Sequence, residues 1–171
     1  MLKTVSHSLK RSLTVIVAAA ALAACSKDAP TSPSLTDETV ATLKSATVRY
    51  QDLDAAKADG FVFLHGCEVR EDGGPVGTVY INMGRLADGL IDPASPDGLI
   101  YAPDANNTGH PRLVAVELAV PYSLWTGAEP PKFLNTPFQR EDEFGVFGLH
   151  VWVWRDNPKG LLAESNPNVS C

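Results

Sequence analysis

The chain has no apolar run long enough to span a bilayer as a permanent helix. Its longest, Leu13 to Ala24, falls well short of the roughly 20 residues a span needs. It also lacks basic charge: 14 Lys and Arg stand against 20 Asp and Glu, which argues against nucleic acid or an anionic membrane surface as partner. Cysteine is scarce. There are three, with no C-x-x-C pair among them, a poor zinc signature. The chain contains no P-loop, no G-x-G-x-x-G and no G-x-S-x-G, so Ser123, Ser170 and the other serines have no nucleophile setting and no cofactor is implied. There is no internal repeat and no βαβ pattern, and 171 residues is a one-domain length.

What is present begins with an export signal. Lys3, Lys10 and Arg11 precede the apolar run, the order of a secretory signal. The run ends Leu22-Ala23-Ala24-Cys25, which resembles the bacterial lipobox. The resemblance implies removal of residues 1–24 as a lipoprotein signal peptide, with lipid on the Cys25 thiol and on its new amino group. More than one acyl chain anchors stably, where one is marginal. The other reading is an ordinary signal peptide cut after Ala24, leaving Cys25 a free thiol. Ser26 follows, and no aspartate does, which for a Gram-negative host implies the outer membrane. Removal of the signal takes three basic and no acidic residues, for a mature net charge near −9.

Cys67 and Cys171 remain. Export permits a disulfide, and this one would close a loop of about 100 residues, worth roughly 4–5 kcal/mol in the chain-entropy model. Two thiols on a metal are the alternative.

Residues 25–35, rich in Ser and Pro, read as a tether, and 36–171 as a single domain. Thr36 serves as helix N-cap, followed by Asp37 and Glu38 in the first turn. Val40, Leu43, Thr47, Tyr50 and Leu53 form one apolar stripe. The helix ends at Gly60 and is open to a break between Ser45 and Asp59. Strands are expected at Phe61–Leu64, Thr78–Met83, Leu99–Ala102 and Arg112–Pro121. Tyr122 to Glu143, with Pro130, Pro131 and Pro137, reads as an irregular flap. Together these predict an α+β fold, with an N-terminal helix packed on an antiparallel sheet closed by a disulfide.

The densest stretch is Phe147 to Pro158. Its period-2 pattern puts Leu149, Val151 and Val153 on one face and His150, Trp152 and Trp154 on the other. If this strand neighbours Arg112–Pro121, Glu117 shares a face with His150. A carboxylate beside an imidazole is an acid–base or metal pair, or else a buried hydrogen bond between packed aromatics. Glu117, His150, Trp152, Trp154 and Tyr80 are thus the candidate ligand-binding residues, with the aromatics as an apolar wall. His65, near Cys67, would complete a two-His, one-carboxylate metal set, or is simply a turn histidine. His110 reads as solvated. Asp104-Ala105-Asn106-Asn107-Thr108-Gly109 matches half a calcium loop, but Ala115 stands where its glutamate belongs, and a hairpin turn explains the same residues. Glu141-Asp142-Glu143 reads as a solvated acidic run.

Three segments resemble a family of uncharacterised bacterial secreted proteins: Leu99-Ile100-Tyr101-Ala102-Pro103, Arg112 to Glu117, and Leu149-His150-Val151-Trp152 through Asn157-Pro158 to Asn166-Pro167-Asn168-Val169-Ser170-Cys171. The resemblance covers residues 65 to 171 and carries no catalytic role. Family members often have a histidine where this chain has Val79, so a histidine metal site is depleted here. The sequence therefore leads to a lipid-anchored envelope protein. Its domain would be a non-enzymatic binding or structural module for a small molecule or envelope component. The alternative is a metal-dependent or acid–base enzyme using His150, Glu117 and His65.

Overall fold

The computed structural model describes residues 34–103 and 109–171. The signal, Cys25, most of the tether and Asp104–Thr108 of the calcium-loop reading lie outside them. Among the described residues no helix is long and apolar enough to cross a membrane.

Helix α1 spans Leu35–Thr47. Its N-cap is Ser34, not Thr36: Ser34 Oγ accepts from Asp37 N at 3.2 Å, and the Asp37 carboxylate takes the Ser34 N–H at 3.1 Å. This reciprocal capping box satisfies two helix-end donors at once, which Thr36 cannot do from inside the first turn. The hydroxyl of Ser34 holds the Asp37 carboxyl below its ordinary range. A 3₁₀ turn at Val48–Gln51 and helix α2, Leu53–Ala58, follow, so the helical segment does break where its stripe weakens.

Strands β1 (Val62–His65), β2 (Thr78–Ile81), β3 (Gly98–Ala102), β4 (Arg112–Pro121), β7 (Gln139–Glu141) and β8 (Val146–Val151) form one sheet in the order β1-β2-β3-β4-β8-β7. Every neighbouring pair is antiparallel. Asn82 caps a short helix α3, Met83–Leu86, after β2. The stretch read as an irregular flap instead folds. It supplies the small hairpin of β5 (Lys132–Phe133) and β6 (Thr136–Pro137), then the edge strand β7. The hairpin turns on Leu134 and Asn135, both with positive φ, the backbone that a two-residue turn requires.

The helices cover one sheet face. Leu43, Tyr50 and Phe61 pack there on Leu99, Val116, Leu118, Leu149 and Val151. The Tyr101 hydroxyl ties the layers together by donating to the Tyr50 carbonyl at 2.6 Å. The opposite face carries a second cluster, including Val79, Ile100, Val114, Trp152 and Val169. The C-terminal tail and the loop after β1 cover it. Asn166 N donates to the Pro75 carbonyl at 3.0 Å, and Ser165 Oγ bonds the Asp72 carboxylate. Cys67 and Cys171 form a disulfide. The fold is thus α+β, with a helix on an antiparallel sheet closed by that bridge.

Candidate functional site

Strand β4 is buried on both faces; its alternation sends Val116, Leu118 and Val120 to the helix side, and a register shift opposite Ile100 and Tyr101 returns Leu113 to that side. Glu117 therefore faces the tail side, directly opposite His150 on β8. The pair expected from the sequence is adjacent in register. It is not a hydrogen-bonded pair: His150 Nδ1 lies 2.7 Å from the Glu164 carbonyl. A carbonyl only accepts, so Nδ1 carries the proton and Nε2 is left as a bare acceptor. Burial pushes the His150 pKa down and outweighs that bond.

Trp152 joins the same side, its Nε1–H donating to the Ala163 carbonyl at 2.6 Å. The expected aromatic wall goes no further. Val153 N–H closes a tight turn onto the Val151 carbonyl at 2.9 Å, ending the ladder and breaking the period-2 phase. Trp154 consequently packs on the helix-side cluster and donates to Thr47 Oγ1 at 3.0 Å. Tyr80 packs on that cluster too, edge-on to Tyr101. The sheet separates Tyr80 and Trp154 from Glu117, His150 and Trp152, so the five do not form one pocket. His65 stacks on Phe144 with 5.5 Å between centroids, 3.8 Å from Glu68, and does not line the space beside His150. Among the described residues no three His, Cys, Asp or Glu side chains are arranged to hold a metal ion. His110 is exposed.

The structure adds residues that the sequence did not mark. Glu117 lies flat in a slot cut by two glycines. A Cβ on Gly98 of β3 would meet Glu117 Cβ at 2.9 Å and Oε2 at 3.0 Å; one on Gly148 of β8 would meet Oε1 at 3.0 Å. Glu117 is only 7% exposed. Among the described residues no donor hydrogen-bonds its carboxyl. Burial first, then the neighbouring Glu141 and Asp97 carboxyls, push its pKa up to about 8 against the pull of Arg70. Asp97, just before β3, extends the ladder with its side chain, Oδ2 accepting from Ala119 N at 2.8 Å. Burial pushes it up to about 7, with that bond opposing.

Arg70, from the loop after β1, lies nearby. It holds Glu141 through two hydrogen bonds and Glu68 through one of 2.9 Å. Burial works against its charge, but the two carboxylates prevail and keep it protonated. Glu141 belonged to the supposedly solvated acidic run. On β7 it turns inward, whereas Asp142 and Glu143 are exposed. A void of about 20 Å³ lies against Gly148, His150, Glu141, Arg70, Gln139 and Glu164. It shares Arg70, Gln139, Glu141 and Glu164 with an open polar cleft of about 360 Å³ that also takes in Glu68 and Glu71. The shared face of Gln139 and Glu141, two residues apart, was the one available signal; Arg70 sits in a polar loop with none.

Comparison with protein-family models, curated proteins and solved structures finds no match for this chain.

Proposed function

We propose that this is a lipid-anchored protein of the bacterial cell envelope, in the outer membrane of a Gram-negative host, and that its domain is a non-enzymatic binding module. The ligand site in this reading is the polar cleft lined by Arg70, Glu141 and Glu164, with the small void that adjoins it beside His150. The N-terminal signal with its lipobox-like Leu22 to Cys25 supports the placement, as does the resemblance of residues 65–171 to bacterial secreted proteins.

The observation that carries the binding reading is Glu117 itself. It is only 7% exposed and accepts no hydrogen bond from the described residues, a placement that disfavours its ionised form. Here two glycines make room for it, and one of them, Gly148, borders the small void that adjoins the open, polar cleft. The test is native mass spectrometry of the full-length protein released from envelopes in mild detergent. A small-molecule mass that disappears in a folded Glu117→Gln variant supports the reading. Protein that carries no such mass, and whose Glu117→Gln variant differs only by being more stable, overturns it.

One observation favours an acid–base enzyme as the second reading. A neutral carboxyl with a pKa near 8 stands across the ladder from a neutral imidazole, a pairing suited to proton transfer at neutral pH. Such an enzyme would use Glu117 and His150. It could not draw on His65, which lies apart, and the described residues lack a metal-holding set. Turnover of the recovered ligand by wild type but not by Glu117→Gln decides for it.

A further inference from the structure

Strand β1 is one edge of the sheet. It pairs with β2, and among the described residues no strand pairs with its other side. Soluble proteins guard such edges with charge, proline or cover. The opposite edge has that guard. Strand β7 carries Arg140, which donates to Asp142 at 2.8 Å, and Glu141, which Arg70 holds. Strand β1 is bare. Phe61 to Leu64 contains no charged residue and no proline. Val62 and Phe63, which alternation points to opposite faces, are 52% and 60% exposed. Only His65, at the far end, is covered, by the Phe144 ring.

The helix side of the sheet adds a second, independent observation. Phe63 stands opposite Tyr80 in register, ring centroids 6.0 Å apart, and Tyr80 lies 5.5 Å from Tyr101, each pair edge to face. The three rings form one row across β1, β2 and β3. It is buried at Tyr101, half-buried at Tyr80 and open at Phe63. Tyr80 has an aromatic neighbour on each side, whereas among the described residues Phe63 has one on its inner side alone.

We infer that β1 docks on β1 of a second copy of this chain, antiparallel about a two-fold axis through Phe63. The two sheets then join edge to edge, and an isologous contact of this kind closes on itself as a dimer. Phe63 meets its own symmetry mate, so the row of rings continues from one copy into the other, and cross-strand aromatic pairs are favourable. On the opposite face Val62 meets Leu64 of the other copy. Charge fits a second copy as the occupant. The chain carries 20 Asp and Glu against 14 Lys and Arg, so two copies repel over much of their surface and approach best at an uncharged strip. The flanks also match. Lys57 and Asp59 precede β1, while His65 and Glu68 end and follow it. Antiparallel docking sets these two flanks side by side, basic beside acidic.

Cysteine cross-linking of the full chain, in intact cells treated with a membrane-permeant oxidant, tests this. The two-fold puts the two Cα atoms of residue 63 about 4.5–5.5 Å apart, within disulfide reach. Phe63→Cys should therefore run as a dimer on a non-reducing gel and as a monomer after reduction. Val48→Cys, a comparably exposed position in the 3₁₀ turn, should stay monomeric. Val62→Cys co-expressed with Leu64→Cys should cross-link as well, which keeps Phe63 in place and fixes the register. Adding Val62→Lys to Phe63→Cys, with folding checked by circular dichroism, should abolish the dimer. Absence of a dimer both from Phe63→Cys and from the Val62→Cys, Leu64→Cys pair overturns the proposal. A dimer from Val48→Cys at the same level means random collision and overturns it too. A cross-link from Phe63→Cys to a different protein overturns the second copy as the occupant and gives the edge to another partner.

Discussion

Glu117 Oε1 stands 3.0 Å from the point that a Cβ on Gly148 would take, one strand away. On the other flank Gly98 gives Glu117 the same clearance, there against Glu117 Cβ at 2.9 Å. The two contacts differ in kind. At Gly148 the obstacle is the end of a side chain that can swing; at Gly98 it is an atom fixed to the backbone. Gly148→Ala should therefore cost about 1 kcal/mol and Gly98→Ala about 2–3 kcal/mol in urea denaturation. Glu117→Ala should rescue Gly148→Ala and not Gly98→Ala in a double-mutant cycle. Equal costs with no coupling would mean that the slot is not fitted to Glu117.

The pH dependence of stability follows from the same slot. Folding raises the Glu117 pKa from an ordinary 4.5 to about 8 and the Asp97 pKa from 3.8 to about 7. The folded state thus holds protons that the unfolded chain gives up. The stability tied to these protons is full below about pH 4 and drains away as pH rises, until about pH 8. His150 has its pKa lowered and acts oppositely: its contribution is present above 6.5 and is lost as pH falls. At neutral pH Glu117 and His150 are both uncharged, which is how one sheet face accommodates them. Glu117→Gln should remove several kcal/mol of the decline between pH 5 and 8. Denaturation curves at unit pH intervals check it, and a variant with an unchanged slope would show that Glu117 ionises freely.

The parts legible in the sequence are those set by local periodicity. The stripe Val40, Leu43, Thr47, Tyr50 predicts the helix face that meets the sheet, and the alternation of Leu113 to Val120 predicts β4. The alternation of β4 and β8 puts Glu117 and His150 on one face if the two strands are neighbours, but does not set their register, which the structure supplies. The rest depends on contacts far apart in sequence. The turn at Val151–Val153 shifts the phase of Trp154 by closing one backbone hydrogen bond, which no residue type announces. Gly98 and Gly148 have meaning only once β3 and β8 are known to flank β4. Glu141 looks like its neighbours until β7 pairs with β8, and Arg70 reaches it from a loop 71 residues away in sequence.

Trp154 predicts a clean separation of stability from binding. Its Nε1–H donates to Thr47 Oγ1, which is fully buried and itself donates to the Leu43 carbonyl at 2.6 Å. Thr47→Val keeps the shape and removes the acceptor, stranding the indole N–H, at about 1–2 kcal/mol. Since the sheet stands between Thr47 and the cleft, the affinity of the cleft for its ligand should not change. A loss of affinity in folded Thr47→Val would couple the two faces and move the site.

The anchor has its own test. Cys25→Ser removes the thiol that the lipobox resemblance marks for lipid. In cells fed a labelled fatty acid, label should be absent from the variant, and the variant should leave the membrane fraction, since the mature charge near −9 gives it no affinity for anionic lipid. Cys67→Ser should keep the label. Labelled Cys25→Ser, or unlabelled wild type, would return the N-terminus to an ordinary signal peptide.

The disulfide predicts how the site and the stability of the whole domain are joined. It bridges a sequence separation of 104 residues, and in the chain-entropy model that is worth about 4–5 kcal/mol. What it pins is the tail that covers Trp152 and supplies the carbonyls of Ala163 and Glu164 to the Trp152 and His150 rings. Other ties remain when the bridge is cut: Asn157 Nδ2 to the Ser165 carbonyl at 3.0 Å and Lys159 Nζ to Asp72 at 2.7 Å. The Cys67→Ser, Cys171→Ser double variant should therefore fold but lose several kcal/mol in denaturation. Its tail amides should be hit hardest, with Asn166 and Val169 exchanging much faster than the α1 amides, which answer only to global unfolding. Freed of the tail's order, Glu164 no longer sits reliably at the cleft, so the variant should retain less of the ligand that wild type carries from envelopes, even at temperatures where it is folded. Uniformly faster exchange with unchanged affinity would mean that the bridge stabilises the domain without organising the site.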